Sequence, residues 1–250
     1  MAVVTGAGRR AGIGAAICRA LARRGADVFF TQWGAYDRGP GTGEDPEGPA
    51  ALRQELRSLD VRAEHVEADL SQPETPARVL EEATERLGAP SSILVNNAAH
   101  SERDGFQNLD AATLDAHYVV NLRATALLAV EFARRYPGGP GGRIISMTSG
   151  QENGPMPGEL AYAATKGAVA AFTRSLAVEV GCKGITVNAV NPGPTDTGWM
   201  DEGLKRELTA RFPLGRIGLP EDAARLVAWL ATDEAGWITG QIIDSEGGFY

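Results

Sequence analysis

Short Val/Ile-rich runs alternate with longer helical patterns along all 250 residues, and this alternation narrows the possible architectures more than any other feature. The strand candidates are Ala2–Thr5, Asp27–Thr31, Arg62–Glu67, Ser92–Val95, Arg143–Met147, Thr186–Val190 and Ile238–Ile243. Each is mostly apolar on both faces, as parallel strands covered by helices on either side must be. Helical patterns at Pro73–Leu87, Leu109–Arg135, Leu160–Val180 and Pro220–Ala231 lie between them. Regular alternation of this kind predicts an α/β chain, a single doubly wound parallel sheet of seven strands with right-handed crossovers. No second composition regime or long linker divides it, so residues 1–250 read as one domain. Two stretches break the pattern. Residues 34–49, rich in Gly, Pro and acids, predict an exposed mobile loop, and residues 137–142, "PGGPGG", predict a turn.

Composition removes several function classes. No apolar run approaches the roughly 20 residues needed to cross a bilayer, and the start carries no charged-then-apolar leader, so a cytoplasmic location is expected. Formal net charge is −8, which argues against nucleic acid or an anionic membrane as partner. Cys18 and Cys182 show no metal or redox spacing and read as buried thiols in a reducing compartment. His65, His100 and His117 lack ligand spacing, so no metal site is expected.

In such sheets ligands bind beyond the carboxyl ends of the strands. After the first candidate strand comes "TGAGRRAGIG" (Thr5–Gly14), which permits two glycine fingerprints. If Gly6, Gly8 and Ala11 form the motif, the helix starts near Gly8 and carries Gly12 and Gly14 inside it, at roughly 1 kcal/mol each. If the helix starts at Gly12 or Ile13, then Ile13, Ala16, Ile17, Ala20 and Leu21 form an apolar stripe. The second reading costs less. It puts Gly12–Ile13–Gly14 in the phosphate-facing turn.

After the fifth candidate strand, Tyr162 and Lys166 stand four residues apart in a helical stretch and project from one face. Ser149, thirteen residues before Tyr162, ends a strand on the ligand side. Together with "ADLS" (Ala68–Ser71), "NNAA" (Asn96–Ala99), Asn121, "YAATK" (Tyr162–Lys166), "NPGPTDT" (Asn191–Thr197) and "TGQIIDSEGG" (Thr239–Gly248), these motifs resemble the short-chain dehydrogenase/reductase family along essentially the whole chain. Within it the likeness is greatest to 3-oxoacyl-carrier-protein reductases.

The resemblance implies a Rossmann-type fold and hydride transfer between a nicotinamide cofactor and a small-molecule carbonyl or alcohol. It implies Tyr162 as proton donor and acceptor, Lys166 as the nearby ammonium that also holds the ribose, and Ser149 as hydrogen-bond donor to the substrate oxygen. Asn121 would hold a water linking Lys166 to solvent through its side chain. Asp69 would accept from adenine with the Leu70 backbone beside it, and Asn97 and Ala98 would line the ribose. Pro192 and Gly193, with Thr195 and Thr197, would hold the carboxamide and pyrophosphate. Ala99 stands where the family more often has glycine. The end of the second strand carries Gln32 where NAD enzymes of this architecture place an acid, Asp37 lies five residues further on, and Trp33 can either stack on the adenine or simply cover the strand end. With Arg9 and Arg10 able to pair with a 2′-phosphate, the cofactor expected is NADP, with NAD possible.

The substrate wall is expected from His100–Phe106, Gln151–Leu160 and Thr197–Phe212, with a mobile lid near 194–213. It offers Met156, Trp199, Met200 and Leu204 as apolar surface and Gln151, Glu152 and His100 as polar contacts. Positions that in carrier-protein enzymes tend to hold arginine carry Leu127 and Val178, with Arg123 and Arg174 nearby. Two other readings stay open, an NAD-dependent alcohol or sugar dehydrogenase and a non-catalytic dinucleotide sensor. The family also implies a homotetramer built through the helices containing Leu122–Phe132 and Ala168–Val178.

Overall fold

The computed structural model describes residues 1–38, 43 and 45–249. Its seven strands are β1 (Ala2–Val4), β2 (Val28–Gln32), β3 (Ala63–Glu67), β4 (Ile93–Asn96), β5 (Gly142–Met147), β6 (Ile185–Asn191) and β7 (Ile242–Asp244). They form one sheet in the order β3-β2-β1-β4-β5-β6-β7, and every neighbouring pair is parallel. The expected doubly wound seven-stranded sheet is therefore present, with its reversal of strand order between β1 and β4.

The helices are α1 (Ile13–Ala22), α2 (Gly34–Asp37), α3 (Gly48–Arg57), α4 (Thr75–Leu87), α5 (Ala111–His117), α6 (Thr125–Arg135), α7 (Leu160–Val180), α8 (Glu202–Thr209) and α9 (Pro220–Leu230). They bury two apolar layers. Ile17 and Leu21 of α1, Leu52 and Leu56 of α3, and Val227 of α9 pack on one face of the sheet with Val4 and Phe30. Val79 and Leu80 of α4, Leu128 and Phe132 of α6, and Leu176 of α7 pack on the other with Val3 and Phe29. Consecutive residues of β1 and β2 thus feed opposite layers, which is why these strands read as unbroken apolar runs.

Four expectations are corrected. The helix expected over Leu109–Arg135 is interrupted by a π-helical segment at Tyr118–Ala124, because wider i→i+5 turns preserve helical continuity that apolar spacing alone cannot distinguish. The last strand begins at Ile242, not Ile238: the Asn188 amide donates to the Ile238 carbonyl at 2.8 Å and Gly240 takes φ +72°, so the chain turns before it pairs. Cys18 is buried but Cys182 is exposed, in the short turn after α7. Within the loop expected over 34–49, residues 34–37 and 48–49 are helical, while 39–42 and 44 lie outside the described residues. No helix among the described residues is long and apolar enough to cross a membrane.

Candidate active site

The glycine loop is built to approach other backbone closely. Gly6 takes φ +71°, and a Cβ there would stand 2.7 Å from the Ala98 Cα. A Cβ on Gly14 would meet the Asn97 Nδ2 at 2.7 Å. Two hydroxyls pin the loop. Thr5 Oγ1 accepts from the Asn97 and Ala98 N–H groups at 3.0 and 3.1 Å, and Thr31 Oγ1 accepts from Gly6 N–H at 3.3 Å. The Asn97 side chain returns hydrogen bonds to the carbonyls of Thr5 and Gly6, both at 2.9 Å. These bonds join the ends of β1, β2 and β4 across the reversal of strand order, where ligands of such sheets bind.

Helix α1 begins at Ile13, so the second glycine reading holds. Its N-cap, Gly12, offers no side chain to the first-turn N–H groups, and that turn carries no acid. An uncapped helix N-terminus facing a cleft is suited to a phosphate. The cleft holds about 350 Å³, and Gly6, Gly8, Arg9, Gly12, Ile13, Gln32, Trp33, Leu70, Asn97, Ala98, Tyr162 and Thr197 line it. A dinucleotide fits this cradle by its glycine backbone, its helix terminus and Arg9 in its lining.

Other expected residues sit elsewhere. Arg10 turns out of the cleft, its Nε and Nη2 donating to Asp45 at 2.9 and 3.1 Å, so the anion it meets belongs to its own chain. Asp69 lies beside the lining residues Ala68 and Leu70 and accepts from Ser71 N–H at 2.8 Å and from Gln72 at 3.2 Å. Against the upward pull of partial burial, these bonds hold its carboxyl below the usual carboxylate range. Past β6, the Asn191 Oδ1 accepts from Gly193 N–H at 2.9 Å, and the Thr195 hydroxyl donates to the Pro192 and Gly193 carbonyls. That loop is shaped by its own hydrogen bonds and lies next to Thr197, the member that reaches the cleft.

Tyr162 and Lys166 project from one face of α7. The Lys166 Nζ donates to the Met147 carbonyl at 2.8 Å and stands 5.5 Å from the centre of the Tyr162 ring. Burial alone brings the lysine down to about 8. Burial and the Glu159 charge push the phenol up to about 12, and the Ser149 hydroxyl, hydrogen-bonded to it, pulls the other way. Ser149 Oγ also lies 4.0 Å from the Met156 sulfur, at the start of the expected substrate wall. A hydrogen-bonded serine and tyrosine beside a buried amine can hold a carbonyl oxygen and deliver a proton to it.

Asn121 lies inside the π-helical segment and is buried. Its side-chain oxygen accepts from His100 N–H at 2.7 Å, and its amide donates to the His100 carbonyl at 2.9 Å and to the Thr165 hydroxyl at 3.1 Å. The side chain is thus committed to clamping the strand-end loop onto α7.

Sequence reasoning missed four residues here. Asp104 accepts from the N–H groups of Leu160 and Ala161 at 2.6 and 2.8 Å, capping α7 from a distant loop. His117 is fully buried and serves as an internal strut, with Nδ1 donating to the Thr113 carbonyl at 2.8 Å and Nε2 accepting from Glu102 N–H at 3.2 Å. The other two, Tyr36 and Asp37, enter the cleft from α2. Apart from the His117–Thr113 bond within α5, these contacts join residues far apart in the chain, so no spacing rule announces them. In the substrate wall, Trp199 Nε1 donates to the Thr195 carbonyl at 3.1 Å, Met200 is buried and Glu152 pairs with Arg174 at 3.2 Å. Among the described residues no group of three or more His, Cys, Asp or Glu side chains could hold a metal ion.

The sequence from residue 6 to 250 matches a family model described as enoyl-(acyl carrier protein) reductase. Over its whole length the chain is 53% identical to YjdA, an uncharacterized oxidoreductase of Bacillus subtilis, covering 96% of that protein. It is 36% identical to the 3-oxoacyl-acyl-carrier-protein reductase FabG of Pseudomonas aeruginosa, covering 100% of this chain and 97% of that one. A short-chain dehydrogenase of Burkholderia cenocepacia, solved in complex with NADP, superposes with a TM-score of 0.88 at 34% identity, over 99% of this chain and 96% of that one. On this full-length likeness, the chain belongs to the short-chain dehydrogenase/reductase family.

Proposed function

We propose that the chain is an NADP(H)-dependent ketoreductase, moving a hydride between the cofactor and a small carbonyl or secondary alcohol. The observation that carries this reading is the Ser149–Tyr162–Lys166 cluster at the edge of a glycine-lined cleft. Bound NADP(H) supplies or accepts the hydride. Ser149 holds the substrate oxygen and stabilises the charge that develops there. Tyr162, protonated at neutral pH, gives its proton to that oxygen during reduction and takes it back during oxidation. The Lys166 Nζ stands 5.5 Å from the centre of the Tyr162 ring, where its ammonium favours the phenolate.

The cofactor assignment is supported by Gln32 at the end of β2, by Arg9 in the cleft and by the NADP carried by the Burkholderia relative. The substrate wall favours a small molecule over an acyl group on a carrier protein. Leu127 and Val178 are exposed apolar residues where cations would meet an acidic partner, and Arg174 is paired with Glu152. The apolar faces of Leu122–Phe132 and Ala168–Val178 would carry a homotetramer interface. Residues 194–213, with α8 at their centre, would act as its lid.

The test is a panel of ketones, sugars and acyl thioesters assayed with NADPH, repeated with Tyr162→Phe. Turnover of the small ketones is expected to fall at least about a hundredfold in the variant, while NADPH titration by fluorescence stays within about threefold. An active Tyr162→Phe protein would end the mechanism, and turnover confined to carrier-bound thioesters would end the substrate assignment.

A further inference from the structure

Three strands end beside the site, and one carboxylate ties together the chain beyond all three. β5 leads into Ser149 and then into one short helical turn, Gly150–Glu152. β6 ends at Asn191 and leads through Pro192 and Gly193 to Thr197, which lines the cofactor cleft. β7 ends at Asp244, two residues before Glu246. The Glu246 Oε2 accepts from the Asn191 Nδ2 at 3.1 Å and from the Asn153 Nδ2 at 3.2 Å. Asn153 closes the turn after Ser149, its N–H donating to the Gly150 carbonyl at 2.9 Å. Asn191 is buried, and it holds the exits of β6 and β7 together several times over. Its Oδ1 accepts from Gly193 N–H at 2.9 Å, its amide also donates to Asp244 at 2.8 Å, and its carbonyl accepts from Ser245 N–H at 2.8 Å. Close approach is built in as well. Gly193 takes φ +61°, and a Cβ there would stand 2.6 Å from that of Glu246.

We propose that Glu246 is a positioning residue for the hydride transfer, fixing the turn that carries Ser149 against the loop that leads to Thr197. The inference rests on the ketoreductase reading above, with Ser149 as holder of the substrate oxygen, and deepens it. Glu246 lines a separate hollow with Phe212 and Arg216, not the cofactor cleft, so it acts through the residues it holds. The turn after Ser149 also meets α7, through Glu152 and Arg174. That pair stands at 3.2 Å between side chains 37% and 54% exposed, of the kind that contributes little. The tie to the exit of β6 runs through Glu246, and it joins the substrate side of the site to the cofactor side. Hydride transfer is sensitive to that separation, because a misplacement of about 1 Å can cost about a hundredfold in rate. Length is the property the tie needs. A carboxylate one methylene shorter keeps its charge but loses its reach to the two amides, whereas a glutamine keeps both the reach and an accepting oxygen.

The test compares the parent with Glu246→Ala, Glu246→Asp, Glu246→Gln, Asn153→Ala and the double alanine variant, using a small ketone and NADPH. Glu246→Ala and Asn153→Ala are each expected to lower kcat about tenfold, with NADPH affinity by fluorescence titration held within about twofold. The double variant is expected to lose no more than Glu246→Ala, since both changes cut the same bond. Glu246→Asp is expected to behave as the alanine variant, and Glu246→Gln to recover most of kcat. Without substrate or cofactor, amide exchange at Asn153 and Gly154, whose N–H groups both donate to the Gly150 carbonyl, is expected to quicken in Glu246→Ala and not in Glu246→Gln. A parental kcat in Asn153→Ala or in Glu246→Asp overturns the inference, as does unchanged exchange in Glu246→Ala. Equal losses of kcat and NADPH affinity also overturn it, because they mark a general loosening. A Glu246→Gln as slow as Glu246→Ala overturns it too, since charge and not reach would then carry the effect. Should Glu246→Ala fail to fold, Asn153→Ala and Glu246→Asp decide. A parent active only with NADH, or only on carrier-bound thioesters, refutes the function proposed above, and the variant ratios on that substrate still decide the inference. If no substrate turns over, that function fails and the exchange measurement decides the inference.

Discussion

Lys166 is only 3% exposed, and its ammonium has one hydrogen-bond partner from the protein, the Met147 carbonyl. The fold depresses its proton affinity from 10.5 to about 8, which by linkage is a penalty on the order of 3 kcal/mol at neutral pH. The sign follows from proton counting. Between about pH 8 and 10.5 the unfolded chain holds more protons than the folded one, so stability rises with pH across that window, and below it the penalty is present in full. Lys166→Met removes the charge but strands the Met147 carbonyl, a loss of about 1 kcal/mol or more. The cofactor-free variant is therefore expected to be about 1–2 kcal/mol more stable than the parent at pH 7 by urea denaturation, with the gap closing near pH 10. A less stable variant at pH 7 would show that the ammonium is not under strain. Stability surrendered at a functional position is a familiar exchange. Tyr162, Lys166 and Ser149 were legible in the sequence because their spacing and chain order are specific. Tyr36 and Asp104 were not, since each acts on residues far away in the chain.

At the scale of elements, the placement of Tyr162 depends on where α7 begins. Its N-cap position, Glu159, donates no side chain, and Asp104 from the loop after β4 supplies the cap. An anion at a helix N-terminus also complements its dipole. Asp104→Ala is expected to cost about 1–2 kcal/mol of stability and to lower kcat more than it raises the KM for cofactor, with Asp104→Asn recovering most of both. Equal losses in kcat and cofactor affinity would mark a general loosening instead. The alternation of strands and helices was readable because β1, β2, β5 and β6 are buried on both faces and leave long apolar runs. The π segment was not, because widening a helix by one residue per turn shifts the phase of the apolar stripe without breaking it. The start of β7 was misread for a different reason. Ile238 is apolar enough for a strand, but Asn188 captures its carbonyl, and side-chain capture of backbone leaves no periodic trace.

For the molecule as a whole, all seven strands point the same way, so their carboxyl ends gather on one side and the chemistry gathers with them. The net charge of −8 surrounds a cleft whose lining offers Arg9 to an anionic cofactor, so the attraction is local and not a property of the whole surface. β7 deserves a different kind of attention from its three residues. It pairs only with β6, over Ala189–Asn191, and the chain beyond it turns directly into the site. Glu246 accepts from Asn153 at 3.2 Å and from Asn191 at 3.1 Å, and it fills the space a Cβ on Gly193 would need. The Phe249 ring then lies tilted, 4.9 Å from that of Phe212, and under Arg211 at 4.1 Å, next to the end of α8. Fraying of the sheet edge and opening of the expected substrate wall are therefore expected to be coupled. Amide exchange along Ile242–Asp244 should proceed through small openings of low free energy. It should slow together with that of residues 193–198 when a ligand closes the site. Slowing of one stretch without the other would separate edge and site, whereas joint slowing makes the edge strand's protons a clock for occupancy.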